Sequence, residues 1–183
     1  MPREEDGGVT PDTLSHDRGS IVSVAVDGRG PVEMAHVLVR VAVDVFDTMV
    51  GLPLVPAGDP EEGGIRPGAT VVGTVGFAGS ANGLVSVGTT RAAALAITGA
   101  LLGADAAAVA DDMPDAFGEV TNMVAGAFRT RMAANGNGWS ITMPMVTAAE
   151  NMTVKYSSSA TRVVCPFTLG EHALFVELVL QAQ

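Results

Sequence analysis

Apolar positions recur at helical spacing in three stretches of the chain and at strand-like spacing through much of the remainder. From Pro31 onward, Met34, Val37, Val41, Val45 and Met49 follow one another at steps of three and four. This spacing predicts a first helix over 31–50, stopped by Gly51 and Pro53. The run RAAALAITGALLG predicts a second helix, capped by Thr89 or Thr90 and ended by Gly103. The third, from about residue 112 to 134, carries the most informative pattern. At about 100° per residue, Ala116, Phe117, Val120, Met123, Val124, Ala127 and Phe128 share one broad arc, the expected core face. Asp115, Glu119, Asn122 and Gly126 climb the other side at steps of four, three and four, spacings that bring neighbours to about 5–6 Å between Cβ atoms. An outward-facing polar stripe is therefore expected, and the rest of the chain reads as the scaffold that holds it.

Between and after these helices the apolar runs are short. Leu52–Val55 is expected as a brief strand, and 56–68, rich in Gly, Pro and Glu, as a surface loop. Residues 69–77 and 84–87, separated by AGSANG, predict a hairpin. After the turn signal NGNG at Asn135 to Gly138, further strands are expected at 139–146, 152–156, 163–169 and 173–180. Helices and strands are thus partly segregated, which predicts an α+β fold with helices packed on a mostly antiparallel β-sheet. The last strand, HALFVELVLQ, alternates too poorly to be half exposed, so it is either buried on both faces or part of a subunit contact. DVFDTMVG at Asp44 to Gly51 faintly echoes EVTNMVAG at Glu119 to Gly126; two αββ halves related by duplication would explain the echo, which is too short to decide the matter. Residues 1–29 lack periodicity apart from an apolar run at 21–26 that could pair as an edge strand. They read as a disordered acidic N-terminal extension to a single domain spanning 30–183.

Composition narrows the function. Of the 183 residues 48% are apolar, enough for a buried core, but only 4% are aromatic, so Val, Ala, Leu and Met must fill it. No apolar run approaches the roughly 18–20 residues of a membrane span, and the acidic N-terminus is unlike a secretory signal. A cytoplasmic protein is the expectation. A net charge of −10 opposes the counterion release that drives nucleic-acid binding, so a protein partner fits better. Cys165 is the one cysteine and lies in VVCPF, a buried-strand context. His16, His36 and His172 are scattered and do not form a metal-site spacing. NGNG lacks the Lys-Ser/Thr ending of a phosphate loop, Ser157 to Ser159 have no visible base, and Asp111, Asp112 and Asp115 are explained by helix capping and the macrodipole.

Glu119 and Asn122 remain. An amphipathic helix can carry such residues without using them. Asn, however, competes for backbone groups inside a helix, and Gly126 costs about 1 kcal/mol relative to Ala there. Two such costs on one stripe point to a face that is used, with Gly126 leaving room for an approaching surface. Glu119 can pair with a partner lysine or act as a base; the Asn122 carboxamide can hold a water or an oxyanion by donating and accepting.

Asp115, Glu119, Asn122 and Pro144 together resemble the signature of the CheC/CheX/FliY chemotaxis phosphatases, in which an Asp or Ser, a Glu and an Asn share a helix and a proline follows. Similarity to the single-motif CheX branch extends over roughly residues 31–181, through the MVG, VVGTVGF, ALLG, SITMPMV and ELVL segments. The resemblance implies a CheC/CheX-like fold and a hydrolase that dephosphorylates the phospho-aspartate of a CheY-like response-regulator receiver domain. Asn122 would orient the attacking water and Glu119 would pair with the receiver's lysine, with Asp115 and Gly126 on the docking surface. The protein would need no cofactor of its own, the Mg²⁺ belonging to the receiver. Asp47 stands where a second Asn would be needed, which argues against a second active site, and Glu150-Asn151-Met152 replaces a Lys-Asn-His segment found in related sequences. A homodimer through the C-terminal strands is a further expectation. The alternative is a non-catalytic receiver-binding adaptor, or a dimerisation module, built on the same stripe.

Overall fold

In a computed structural model of the chain, the residues described are 25, 28–133, 138–150, 152–157 and 159–181. The apolar run at 21–26 and the turn at 135–138 therefore lie largely outside the described residues.

The first helix, α1 (Pro31–Val45), opens with Pro31 at a position where a missing N–H is harmless. It continues as a π-helical turn over Phe46–Val50 and ends at Gly51, whose φ of 74° suits glycine. The wider turn inserts an extra residue, so the helical phase slips there. Phe46 and Val50 enter the core, and Met49, expected on the apolar face, is 58% exposed. Short strands follow at β1 (Val55–Pro56) and β2 (Glu61–Glu62), the latter inside the expected loop. The hairpin β3 (Val71–Ala78) and β4 (Asn82–Thr89) leads to α2 (Arg91–Leu102). Thr90 caps α2 by accepting from the Ala93 N–H at 3.3 Å, and Gly103 closes it with φ 63°. Then come α3 (Met113–Met132), β5 (Ser140–Ile141), β6 (Met145–Ala148), β7 (Ala160–Leu169) and β8 (His172–Gln181). The strand expected over 152–156 is absent; residues 152–157 lack regular structure.

The strands form one antiparallel sheet in the order β1-β7-β8-β4-β3-β5, with β2 also on β7 and β6 also on β3. The order helix, two short strands, long hairpin thus occurs twice, and each pair of short strands edges the hairpin of the other half. The two hairpins meet at β4 and β8, paired from Asn82↔Gln181 to Thr89↔Leu174. This repeated order is what two halves related by duplication would produce.

Period-two alternation sorts the sheet residues. Val71, Val75, Val85, Val87, Val163, Cys165, Phe167, Leu174, Val176 and Leu178 pack with Met34, Leu38, Phe46, Phe117, Val124 and Phe128 of the helices. Three of the eight aromatics cluster where α3 ends: Phe77 stacks on Trp139 at 4.9 Å between ring centroids, and Phe128 lies 6.3 Å from Phe77. Leu174 through Leu180 are buried without a break, so β8 is covered on both faces. On the face away from the helices, Val72, Val164 and Phe175 cluster, and Glu177 is 0% exposed. Its Oε1 accepts from Arg66 Nε at 2.7 Å and its Oε2 from the Tyr156 hydroxyl at 2.8 Å, while Arg162 Nη1 lies 3.4 Å away. The Arg66 guanidinium sits between the Tyr156 and Phe175 rings, 5.3 and 5.4 Å from their centroids. Burial and the Glu177 charge push the Cys165 thiol up to about 12, in keeping with an inert core cysteine.

Candidate functional site

Helix α3 is held on more sides than its apolar arc predicted. Besides Phe117, Val120, Val124 and Phe128, the small residues Gly118, Thr121 and Ala125 are buried, whereas Met123 and Ala127 are only half-buried. The reason is contact with the sheet. A Cβ added at Gly73 of β3 would lie 2.1 Å from Thr121 Oγ1, so only a glycine lets the helix come this close. Thr121 is itself 0% exposed and donates to the Phe117 carbonyl at 2.9 Å. One residue type on the strand and one on the helix therefore fix the rotation of α3 about its axis.

That rotation leaves a narrow stripe free. Asp115 and Glu119 are exposed, and Asn122 and Gly126 are half-buried. No atom lies within 4 Å of a Cβ added at Gly126, so packing within the chain does not demand a glycine there. Among the described residues, the side chains of Asp115, Glu119 and Asn122 make no hydrogen bond or ion pair. The carboxylate and the carboxamide, one turn apart, keep their hydrogen-bonding capacity for an outside group. Pro144 closes one flank: a Cβ added at Gly118 would lie 3.3 Å from Val146 Cγ2 and 3.7 Å from both Cβ and Cγ of Pro144. The four residues of the sequence signature are thus brought together by α3 and the sheet edge beside it.

At the helix start the capping expectation needs correction. The Asp112 side chain makes no cap hydrogen bond, and its backbone is already helical at φ −82°, ψ −14°. Pro114 removes one orphan N–H and Asp115 meets the positive end of the dipole, while Arg129 and Arg131 complement the other end. Arg131 Nη2 reaches Asp44 Oδ2 at 3.1 Å. The corresponding stretch of α1 is therefore built differently: Asp44 is ion-paired, Asp47 replaces the carboxamide, and the backbone is π-helical. Ser157 and Ser159 hydrogen-bond each other at 3.0 Å. Sequence reading missed the Arg66–Glu177–Tyr156 network; the signal for it was a charged residue in the middle of the otherwise apolar FVELVL run.

Fold and site together define an α+β domain that offers a helix-borne carboxylate and carboxamide, both without partners among the described residues, to whatever docks on its surface. The chain belongs to the CheX family: the model of that family, described as chemotaxis phosphatase CheX, matches residues 71–168, just over half of the chain and the part that holds α3 and Pro144. No curated protein sequence matches it. Among solved structures it is similar to a chemotaxis protein CheX from Desulfovibrio desulfuricans, with 29% identity and a TM-score of 0.72 over 82% of this chain and all of that one. A chemotaxis protein CheX from Vibrio vulnificus gives 25% identity and a TM-score of 0.71, covering 81% and 99% of the two chains. The CheX of a CheX–CheY–BeF3–Mg²⁺ complex from Borrelia burgdorferi shares the fold, with 24% identity and a TM-score of 0.69 over 82% and 99%. The CheC/CheX-like α+β fold is thereby established.

Proposed function

We propose that this chain hydrolyses the phospho-aspartate of a CheY-like receiver domain, with Asn122 orienting the attacking water and Glu119 pairing with the receiver's lysine. The observation that carries the reading is the pair itself: an exposed carboxylate and a half-buried carboxamide on one helix stripe, neither bonded to anything else among the described residues. Family membership supplies the reaction class, and the Borrelia burgdorferi complex, in which a CheX is bound to CheY with BeF3 and Mg²⁺, supplies the partner by analogy.

An acyl phosphate has a good leaving group, so placement of water is most of what catalysis must provide. Water attacks phosphorus in line, the bond from phosphorus to the aspartyl oxygen breaks, and the products are inorganic phosphate and a free carboxylate. A carboxamide suits the task because its oxygen accepts from the water while its NH₂ donates to a phosphoryl oxygen. Glu119, exposed on the preceding turn, would meet a cation on the partner. The Mg²⁺ of this reading is held by the receiver; among the described residues no three His, Cys, Asp or Glu side chains converge to hold a metal ion. Asn122→Ala is expected to lower the rate of receiver dephosphorylation by about 10²–10³ with the fold intact. Phosphate loss followed with a phosphorylated receiver checks this, and a variant as fast as the parent refutes the role of Asn122.

A further inference from the structure

The sheet edge beside the stripe contains a one-residue bulge. On β3, two residues, Val75 and Gly76, separate Thr74 from Phe77; on the facing segment, three residues, Thr142, Met143 and Pro144, separate their partners Ile141 and Met145. Thr142 takes the place opposite Gly76: its N–H donates to the Gly76 carbonyl, and its hydroxyl accepts from the Gly76 N–H, both at 2.9 Å. Met143 and Pro144 therefore both oppose Val75. A bulge of this kind re-aims side chains and is frequent at sheet edges and next to active sites.

On either side of the bulge, alternation sets the direction of the strand residues. Ile141 and Val146 pack against the helix-side core. Counting by twos from Val146 puts Pro144 on the helix side with it, while the bulge interrupts the alternation at Met143. Met145 falls on the opposite side, across from Thr74. Pro144 uses its place to pack on Gly118. Met143, the other residue of the bulge, is 88% exposed, so it adds apolar surface directly beside the proline that packs on Gly118, the neighbour of Glu119.

We propose that Met143 is an apolar docking residue for the receiver, set beside the polar stripe by the bulge; this rests on the reading of the chain as a receiver phosphatase. The stripe itself offers two carboxylates and a carboxamide to a partner, in a chain of net charge −10. Apolar contact at its border complements these groups by excluding bulk water around the one water that reacts, the role of the ring that surrounds interface hot spots. Methionine suits the position, since its flexible, polarisable side chain adapts to a partner's contour. The occupant is the receiver because the surface is continuous with Gly118 and Glu119 through Pro144.

The test is steady-state dephosphorylation of receivers encoded with this protein, phosphorylated with acetyl phosphate and titrated over a wide concentration range. Met143→Ser is expected to raise KM about tenfold, the scale of losing one buried methionine contact, with kcat within about twofold of the parent. Met143→Leu, which keeps the apolar surface, restores KM. Met145→Ser, equally close to Pro144 but on the other side of the sheet, leaves both constants within about twofold. Unchanged KM in Met143→Ser, with an active parent, overturns the docking role and leaves the phosphatase reading standing. Equal effects of Met143→Ser and Met145→Ser also overturn it, since they point to a disturbed sheet edge. A parent that accelerates phosphate loss from none of these receivers overturns the phosphatase reading and the docking role with it.

Discussion

Gly73→Ala tests the contact that sets the orientation of the candidate site. The new methyl would sit 2.1 Å from Thr121 Oγ1, 3.0 Å from its Cβ and 3.3 Å from its Cγ2. Ordinary contacts begin near 3.4 Å, so the hydroxyl must retreat by about 1.3 Å. It has nowhere to go. Thr121 is 0% exposed, its Oγ1 is engaged with the Phe117 carbonyl, and a β-branched side chain has few rotamers in a helix. Either Thr121 rotates and gives up that bond, or α3 lifts from β3 and loosens Val120 and Val124. Overpacking of this kind costs about 1–3 kcal/mol, and the lost hydrogen bond adds about 1 kcal/mol. Replacing a strand glycine returns about 0.5–1 kcal/mol, which leaves a net loss of about 1–3.5 kcal/mol. Urea unfolding followed by circular dichroism measures it. With a slope of about 1–3 kcal/mol per molar for a small protein, the midpoint is expected to fall by about 1 M at the middle of both ranges. Thr121→Ala removes Oγ1, by far the worst clash, together with Cγ2, and leaves only Cβ at 3.0 Å, so the double variant Gly73→Ala/Thr121→Ala is expected to recover at least half the loss, a coupling of about 1–2 kcal/mol. A loss below about 0.5 kcal/mol, or strictly additive single effects, would refute the argument. Because Asn122 follows Thr121, the phosphatase rate of Gly73→Ala is also expected to fall by more than the unfolded fraction explains.

Three further outcomes follow from the same structure. Gly126→Ala, at a position with open space around it, is expected to raise stability by up to about 1 kcal/mol, and Gly126→Leu to impair receiver binding without loss of stability; midpoints and a binding titration separate the two effects. Glu177→Ala strands Arg66 and Arg162 on the covered outer face and is expected to cost about 3–5 kcal/mol, read from the urea midpoint, with a loss under about 1 kcal/mol counting against a structural role for the network. For Cys165, burial raises the folded thiol from its ordinary 9.0 to about 12, so the unfolded chain releases its proton first. Its contribution is complete below pH 9 and is lost as pH rises toward 12. Tyr156, raised above 10.0 chiefly by burial and then by the Glu177 charge, acts in the same sense. Midpoints measured from pH 8 to 11 should fall, and Cys165→Ala should flatten the slope.

Much of the fold was legible because burial follows period. The periodic helices were found nearly to their ends, with Gly51 and Gly103 as the stops. The long strands were found too, since β-branched residues and alternation mark them. Errors fell where period gives no information. A π-helical turn moved Met49 out of the core and Val50 into it. Two-residue strands are too short to have a period, and 152–156 looked like a strand by composition but lies over the sheet, with Met152 against the Val72–Val164–Phe175 cluster and Tyr156 bonded to Glu177, without joining it.

On the candidate site, sequence alone determined the stripe. Steps of four, three and four on a strongly periodic helix put Asp115, Glu119, Asn122 and Gly126 on one side whatever surrounds them. Tertiary structure decided how wide that stripe is and what borders it. Gly73 and Thr121 turn the helix so that Asn122 is half-buried rather than fully exposed, and the one-residue bulge brings Pro144 onto Gly118 and Met143 out beside it. These contacts join residues dozens of positions apart through the pairing register of β3. Local pattern records only which face of an element is apolar, and cannot specify which other element will cover it.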